Sequence, residues 1–339
     1  MSTPFSLFIS RLPFGRVTGI CGSCERKTVM MKNKLVTLFG GGGFLGRYVV
    51  QELLRAGARV RIAERDPRDA WYLKPQGGVG QTQFVAADIT RPDTVERALT
   101  GADAVVNLVG ILSGNFEKVH VEGARNVAVA AAKAGCESMV QISAIGADPD
   151  SPSAYGRSKA KGEQAVREAF PGATILRPSI VFGREDDFVN RFANMIVSAP
   201  IVPVVRPQVR FQPVYVADVA QAVLAALSDP KTHGGKAYAL GGPDIMTMGE
   251  LIRWIAKTIG RDKPIIDLSD SFGSLLAAMP GTPITSDQWK MLQRDNVVGD
   301  EAGIAALGVH PVPMATVAPG WLVQYRRNGR FSRRIGKPA

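Results

Sequence analysis

Two rhythms of apolar and polar residues alternate along most of this chain. Short, nearly unbroken apolar runs of about four to eight residues read as strands buried on both faces. Longer stretches in which apolar residues return every third or fourth position read as helices with one buried face. KLVTLFG, ending at Gly40, opens the series as a strand, and FLGRYVVQELLRAG, closing at Gly57, follows it as a helix. RVRIAERD, QFVAADIT, DAVVNLVG and SMVQISAIGA predict the second to fifth strands, each set apart by a helical pattern or a polar turn. EKVHVEGARNVAVAAAKAG predicts a long Ala- and Val-rich helix, residues 153 to 170 predict another, and ATILRPS predicts a sixth strand. This alternation predicts a parallel sheet covered by helices on both faces.

After Gly183 the rhythm loosens. VRFQPVYVADVAQAVLAAL predicts one more strand and helix, and Pro- and Gly-rich connections with short helices fill residues 241 to 323. These later parts read as a smaller lobe against the C-terminal edges of the strands, where ligands of open α/β sheets bind. The expected class is α/β: a Rossmann-type, doubly wound parallel sheet with a smaller C-terminal α/β lobe. Residues 31–183 form the nucleotide-binding core, 184–323 the remaining core strand and helix plus the lobe, 1–30 an extension and 324–339 a basic tail.

Composition fits this plan: 339 residues at 45% hydrophobic content can bury a large core. No apolar run approaches the roughly 18 residues a spanning helix needs, so any membrane association is peripheral. Three cysteines make no disulfide framework and suit a reducing compartment. Cys21 and Cys24 have CxxC spacing, but no second pair completes a four-ligand set, so no metal site is expected.

The net charge of +11 belongs mainly to the ends: residues 1–30 carry +3 and residues 324–339 carry +6, leaving +2 between them. A basic tail suits anionic lipid headgroups or an acidic partner, and equally a solvated end. Residues 1–30 mix Pro, Gly, Ser and Arg without periodicity and hold no acid before Glu25, as targeting peptides do. Met30 and Met31 directly precede the first strand, so an upstream extension is an equal reading.

Gly40, Gly43 and Gly46 have GxxGxxG spacing between a predicted strand and a predicted helix. The first glycine permits a tight turn, the second lets a pyrophosphate approach the backbone, and the third lets elements pack closely. Free N–H groups at the helix start then favour phosphate. This placement predicts dinucleotide binding and removes nucleic acid from the candidate partners. The second strand ends in Glu64, Arg65 and Asp66. Arg65 beside a 2′-phosphate selects NADPH; the alternative is NADH, with Glu64 or Asp66 on the ribose. Asp88, ending the third strand, is either an acceptor for the adenine amino group or a turn aspartate.

Tyr155 and Lys159 in SAYGRSKAKGE have YxxxK spacing, which puts both on one helix face. A neighbouring ammonium lowers a phenol's pKa and makes it a usable acid or base. With the glycine turn and the five βα units, these residues resemble the short-chain dehydrogenase/reductase superfamily in its extended, NAD-dependent epimerase/dehydratase-like form. LRPSIVFG and PVYVADVAQAV look like further segments of that group. On this resemblance Phe44 and Leu45 on the first helix, Ile89 beside Asp88, Val109 and Gly110 after the fourth strand, Ser143 after the fifth and Pro178 after the sixth join the glycines, Arg65, Tyr155 and Lys159 around the nucleotide.

Two of the family's four catalytic positions depart from its pattern. Its helical asparagine lines up with His120, and its hydroxyl residue with Ile145, which deprives a substrate carbonyl of a donor to its developing oxyanion. Ser143 lies two residues earlier. The wording TLFGGGGFLGRYVV, VNLVGIL, ISAIGAD and YGRSKAKGE is similar to the atypical branch that includes the NADPH-binding accessory subunit of respiratory complex I, the NADH:ubiquinone oxidoreductase of the respiratory chain, and its bacterial relatives. The resemblance implies a tightly held NADPH and docking on complex I subunits. It places the chain in the cytoplasm at the inner membrane of a bacterium, or in the mitochondrial matrix if residues 1–30 are a presequence.

An active NADP-dependent oxidoreductase or epimerase is the competing expectation, with Tyr155 as acid/base and Lys159 lowering its pKa. Retention of both favours it, because a purely structural site has no evident need of the phenol. His120 is either a replacement proton relay or a packed helical histidine. Asp218 either touches substrate or serves as an N-terminal helix charge.

Overall fold

A computed structural model describes residues 31–271, 273 and 285–327. The first 30 residues, with Cys21 and Cys24, and the tail beyond Arg327 lie outside the described residues. β1 (Leu35–Phe39), β2 (Arg59–Glu64), β3 (Thr82–Ala86), β4 (Ala104–Asn107), β5 (Ser138–Ile142) and β6 (Thr174–Pro178) form where the apolar runs predict them. β7 (Val181–Phe182), β8 (Val202–Val205), β9 (Arg210–Phe211) and β10 (Val214–Tyr215) are short strands outside the main sheet, and β11 (Ala237–Leu240) returns to it. The resulting seven-stranded sheet has the order β3-β2-β1-β4-β5-β6-β11, parallel throughout. The strand order reverses between β1 and β4, which opens a crevice at their C-terminal ends.

The helices that cover it are α1 (Phe44–Arg55), α2 (Pro92–Leu99), α3 (Ala124–Lys133), α4 (Ala154–Ala169) and, after α5 (Phe188–Ser198) of the lobe, α6 (Val216–Ser228); α7 (Met248–Thr258) also belongs to the lobe, and α8 (Ser286–Met291) follows it. Val49, Val50 and Leu53 of α1 and Val219 and Val223 of α6 bury against Val36, Leu38 and Ile62 on one face. Leu99, Val127 and Ala131 meet Phe39, Val105 and Met139 on the other. Each of the larger of these side chains, fully withdrawn from water, contributes about 1.5–3 kcal/mol. A third core joins Phe182, Ile196, Leu251 and Ile255 in the lobe, where β12 (Met246–Thr247) pairs with β9 and β13 (Ile265–Leu268) pairs with β8.

Three expectations need correction. VRFQPVYVADVAQAVLAAL contains two strands of two residues, β9 and β10, where one strand was expected; they belong to separate small sheets, and Pro213 between them has no N–H to offer a continuous ladder. Residues 241 to 323 hold an eleven-residue helix, α7, fixed by a capping box in which Thr247 accepts the Glu250 N–H and Glu250 accepts the Thr247 N–H. The predicted helix from Glu117 begins as a wide π turn through Gly123, where the His120 carbonyl lies so close to Gly162 of α4 that no Cβ fits there.

A buried polar ladder joins β4 to β5 beside the crevice. Asn107 Nδ2 donates to Gln141 Oε1 at 2.9 Å, Gln141 Nε2 donates to the Ile142 carbonyl at 3.0 Å, and Asn107 Oδ1 accepts the Val109 N–H at 3.2 Å. Asn107→Leu leaves both Gln141 Oε1 and the Val109 N–H unpartnered. Urea unfolding should show a loss of roughly 1–3 kcal/mol with the slope unchanged; full stability in the variant would show that the ladder is dispensable.

Candidate functional site

The turn from β1 into α1 is built for a ligand with no side chain in the way. Gly40 has φ +80°, a conformation that glycine adopts without strain, and a Cβ there would press on Val109 at 3.3 Å. Gly43 is the N-cap of α1 and its helix start has no side-chain cap. A Cβ on Gly46 would collide with the Gly41 carbonyl, so the helix can approach the turn only because this residue is glycine. The first-turn N–H groups of Phe44, Leu45 and Gly46 have no intrahelical acceptor, an arrangement that favours an anion. Phe44 also packs its ring against Gly183, which brings the lobe to this end of the crevice.

Glu64 takes a part that sequence reasoning did not assign. Its Oε1 accepts the Gly42 N–H at 2.6 Å, and Tyr72 donates its hydroxyl to the Gly42 carbonyl at 2.8 Å. The turn is thus held from both sides of one glycine. Burial raises the Glu64 pKa, although the Gly42 hydrogen bond opposes it. Arg65, the next residue, is exposed beyond the end of β2, within electrostatic reach of Glu64 and Asp88. Asp88 Oδ1 accepts the Thr90 N–H at 2.9 Å and the Thr90 hydroxyl at 2.8 Å, so this carboxylate closes its own turn. Burial pushes its pKa up, but those two bonds together with the charges of Arg65 and Lys118 leave it below the usual value. Ile89 is buried against Gly123 and its carbonyl accepts from Asn126 Nδ2.

At the other end of the crevice Lys159 is buried at 7% exposure, with Nζ 5.8 Å from the centre of the Tyr155 ring and donating to the Ile142 carbonyl at 3.4 Å. Gly110 crosses above it, where a Cβ would sit 3.2 Å from Nζ. Burial lowers Lys159 to about 8, against a raising effect from Glu163, and burial lifts Tyr155 to about 12. Ser143 is 4% exposed and its Oγ has no hydrogen-bond partner among the described residues. A hydroxyl left so at the end of β5 costs roughly 1–3 kcal/mol until something polar reaches it. Pro178 ends β6, and its carbonyl accepts the Ile145 N–H at 3.0 Å. With an uncapped helix start at one end and an orphan hydroxyl beside a buried ammonium at the other, these residues fit a dinucleotide.

His120 is packed and fully committed. Its Nε2 accepts the Ile111 N–H at 3.0 Å, so Nδ1 carries the proton and meets Ser158 Oγ at 2.8 Å. Burial, with the Lys159 charge, lowers its pKa to about 3. A neutral imidazole with both nitrogens occupied is no proton relay. Asp218 is likewise structural: buried in the first turn of α6, it accepts the Val312 N–H at 2.7 Å, and burial raises it to about 6 despite that bond. Ile145 presents no hydroxyl. The crevice therefore brings together the glycine turn, Gly110, Ser143, Tyr155, Lys159 and Pro178, but not a four-group catalytic set.

Comparison with known proteins agrees with the fold. Residues 36–241 match the model of the NAD dependent epimerase/dehydratase family. The chain is 37% identical over 294 residues to NADH dehydrogenase (ubiquinone) 1 alpha subcomplex subunit 9, mitochondrial, of Mus musculus, covering 83% of this chain and 77% of that protein. It is 30% identical over 241 residues to the ceramide reductase of Caulobacter vibrioides, covering 70% and 74%. Among solved structures, an NADPH-dependent quinone oxidoreductase of Escherichia coli complexed with NADPH shares the fold, with a TM-score of 0.69 at 20% identity over 85% of this chain and 99% of that one.

The buried lysine sets a measurable trade between stability and binding. A lysine whose folded pKa is lowered from 10.5 to about 8 destabilises the nucleotide-free protein fully below pH 8, and that penalty fades as pH rises toward 10.5. Lys159→Met should therefore be more stable than the parent chain at pH 7 without nucleotide, with the gap shrinking above pH 8. Thermal unfolding at pH 7, 8.5 and 10 checks this; a variant less stable at pH 7 would mean that the Ile142 hydrogen bond outweighs the cost of burial.

Proposed function

The chain belongs to the NAD dependent epimerase/dehydratase family, and on that premise we propose that it is an accessory subunit of NADH:ubiquinone oxidoreductase that holds NADPH as a fixed part of its fold. The observation that carries this reading is the state of the reacting end: Lys159 and Tyr155 are in place, while His120 is locked as a neutral strut and position 145 is isoleucine. Such a crevice can bind and orient a nucleotide without completing a proton path to a substrate. The mouse relative, a subunit of the mitochondrial enzyme by name, supports the assembly.

NADPH is preferred over NADH on the arrangement at the end of β2. The acid that would accept a ribose 2′-hydroxyl, Glu64, is turned onto the Gly42 N–H, and Arg65 stands outside it. The glycine turn and the start of α1 hold the pyrophosphate, Val109 and Gly110 cover the nucleotide, and Ser143, Lys159 and Pro178 hold its nicotinamide end. Among the described residues no helix is long and apolar enough to cross a membrane. The resemblance to complex I subunits supports attachment through protein partners, at the inner membrane of a bacterium or in the mitochondrial matrix, helped by the basic residues from Arg326 onward.

A second reading, an NADP-dependent oxidoreductase, is favoured by the retained Tyr155 and Lys159 and by the ceramide reductase relative. A bound reduced nicotinamide supplies a hydride, and Tyr155 would supply the proton. The two readings separate in one series. Native protein should release stoichiometric NADPH on denaturation, identified by mass spectrometry, and the bound nucleotide should stay reduced when quinones or nucleotide sugars are added. Turnover that disappears in Tyr155→Phe would replace the binding reading with the enzymatic one. For the choice of nucleotide, losing a charge-assisted bond worth about 1.5–3 kcal/mol in Arg65→Ser should weaken NADPH binding by roughly 10- to 150-fold and leave NADH unchanged; equal losses for both would return the ribose to Glu64.

A further inference from the structure

The lobe returns a segment of chain across the C-terminal edge of the sheet. Residues 285 to 303 begin with α8, capped by Thr285 and Gln288, and then run past β6, β9 and β11. The contacts along this path are specific. Asp287 Oδ1 accepts the Ala154 N–H at 2.7 Å, and its Oδ2 accepts the Tyr155 N–H at 3.1 Å and the Ser153 hydroxyl at 2.8 Å. Arg294 donates to Asp148 in the β5–α4 loop at 2.8 Å. Asn296 Oδ1 accepts the Ser179 hydroxyl at 2.6 Å, one residue beyond Pro178. Glu301 pairs with Arg177 on β6, and Gly303 bridges to Ala239 on β11.

Between this segment and the sheet lies a cavity of about 490 Å³, with Ile145, Ala147 and Ala239 on the sheet side and Val297, Asp300 and Glu301 on the other. Arg177 is the one cation among the described residues that line it, and it is taken: Glu163 grips it through two bonds, at 2.9 and 2.5 Å, and Glu301 holds it from the opposite side. The N–H groups that open α4, the other natural anion seat at this end, are filled by Asp287.

We propose that residues 285 to 303 are a strap that sets what can reach the nicotinamide end of the site, admitting small uncharged molecules into the cavity beneath it and excluding anionic ones such as nucleoside diphosphate sugars. The inference rests on the nucleotide-binding reading for the position of the nicotinamide, and on this chain's own hydrogen bonds for the strap. Among the described residues, the one cation lining the cavity and the N–H groups that open α4 are already paired with carboxylates of the chain, and one further acid, Asp300, stands at the cavity wall. A neutral, largely apolar molecule meets no such barrier.

The test uses the full chain loaded with NADPH and reads the fluorescence of the reduced nicotinamide against two quenchers, neutral acrylamide and anionic iodide, each scaled to its effect on free NADPH. Acrylamide should quench several-fold better than iodide, even though the net charge of +11 attracts iodide to the protein as a whole. Asp287→Ala combined with Arg294→Ala should bring iodide up toward acrylamide. Asp300→Asn, at an exposed position that leaves the latch intact, should raise iodide quenching by a smaller step. Equal quenching by both agents in the parent chain, or an unlatched variant that behaves like the parent, overturns the strap. A chain that binds no NADPH overturns the nucleotide reading instead, and the strap is then judged by amide hydrogen exchange at Ala154 and Tyr155, slow in the parent and fast in the double variant; equal rates overturn it.

Discussion

The close approach of backbone to backbone at the β1–α1 turn is the constraint on which the rest of the structure depends. A Cβ on Gly46 would strike the Gly41 carbonyl, one on Gly40 would press on Val109, and one on Gly42 would meet Ala70 and Glu64. Three elements therefore converge on a strip of chain with no side chains of its own. Glu64 and Tyr72 supply the polar contacts that a turn so stripped cannot make internally. What this leaves exposed is the part useful to a pyrophosphate: a helix start with free N–H groups at the point where the strand order reverses.

At the other end of the crevice the same sheet carries a different economy. Lys159 is buried at the cost of a lowered pKa, and Ser143 is buried with no partner among the described residues, so the nucleotide-free protein holds unsatisfied polarity there. His120 adds none, because the Ile111 N–H and Ser158 saturate it. The polar groups that remain available are those facing a ligand, and those beside it have been turned into scaffolding.

Much of this was legible in the sequence, for reasons that differ by element. The first six strands and α1 were readable because burial on both faces makes each strand a continuous apolar run, and the glycine turn because its residue type is forced by sterics. β11 was not, since Ala237–Leu240 is too short to carry a pattern and becomes a strand only by pairing with β6. The π turn at Glu117–Gly123 depends on Gly162, some forty residues away in the chain, pressing on His120. Asp287 escaped for the same reason: its partners, Ser153 to Tyr155, are more than a hundred residues distant, and no spacing rule links them. Glu64 was visible as a charge but not as a clasp, because nothing in IAERD tells which way a carboxylate will turn.

The retained tyrosine is the strongest argument for catalysis, and the structure weakens it by giving the phenol other work. The Tyr155 ring meets Phe116 edge-on at 6.0 Å and His120 edge-on at 5.5 Å, while Phe116 and His120 stack at 5.4 Å. Removing any one ring from such a cluster forfeits both burial and the ring contacts, which are worth about 0.5–1.5 kcal/mol per pair beyond area. The cluster in turn holds the Ile111 backbone through His120, and so the Gly110 crossing above Lys159. Tyr155 can thus be kept for packing and Lys159 for its charge, with neither requiring the other to act in a reaction. Where a catalytic pair needs its phenol brought down toward neutral pH, this one has burial lifting it to about 12 beside a lysine already weakened to about 8. The pair is spaced for chemistry and surrounded for binding.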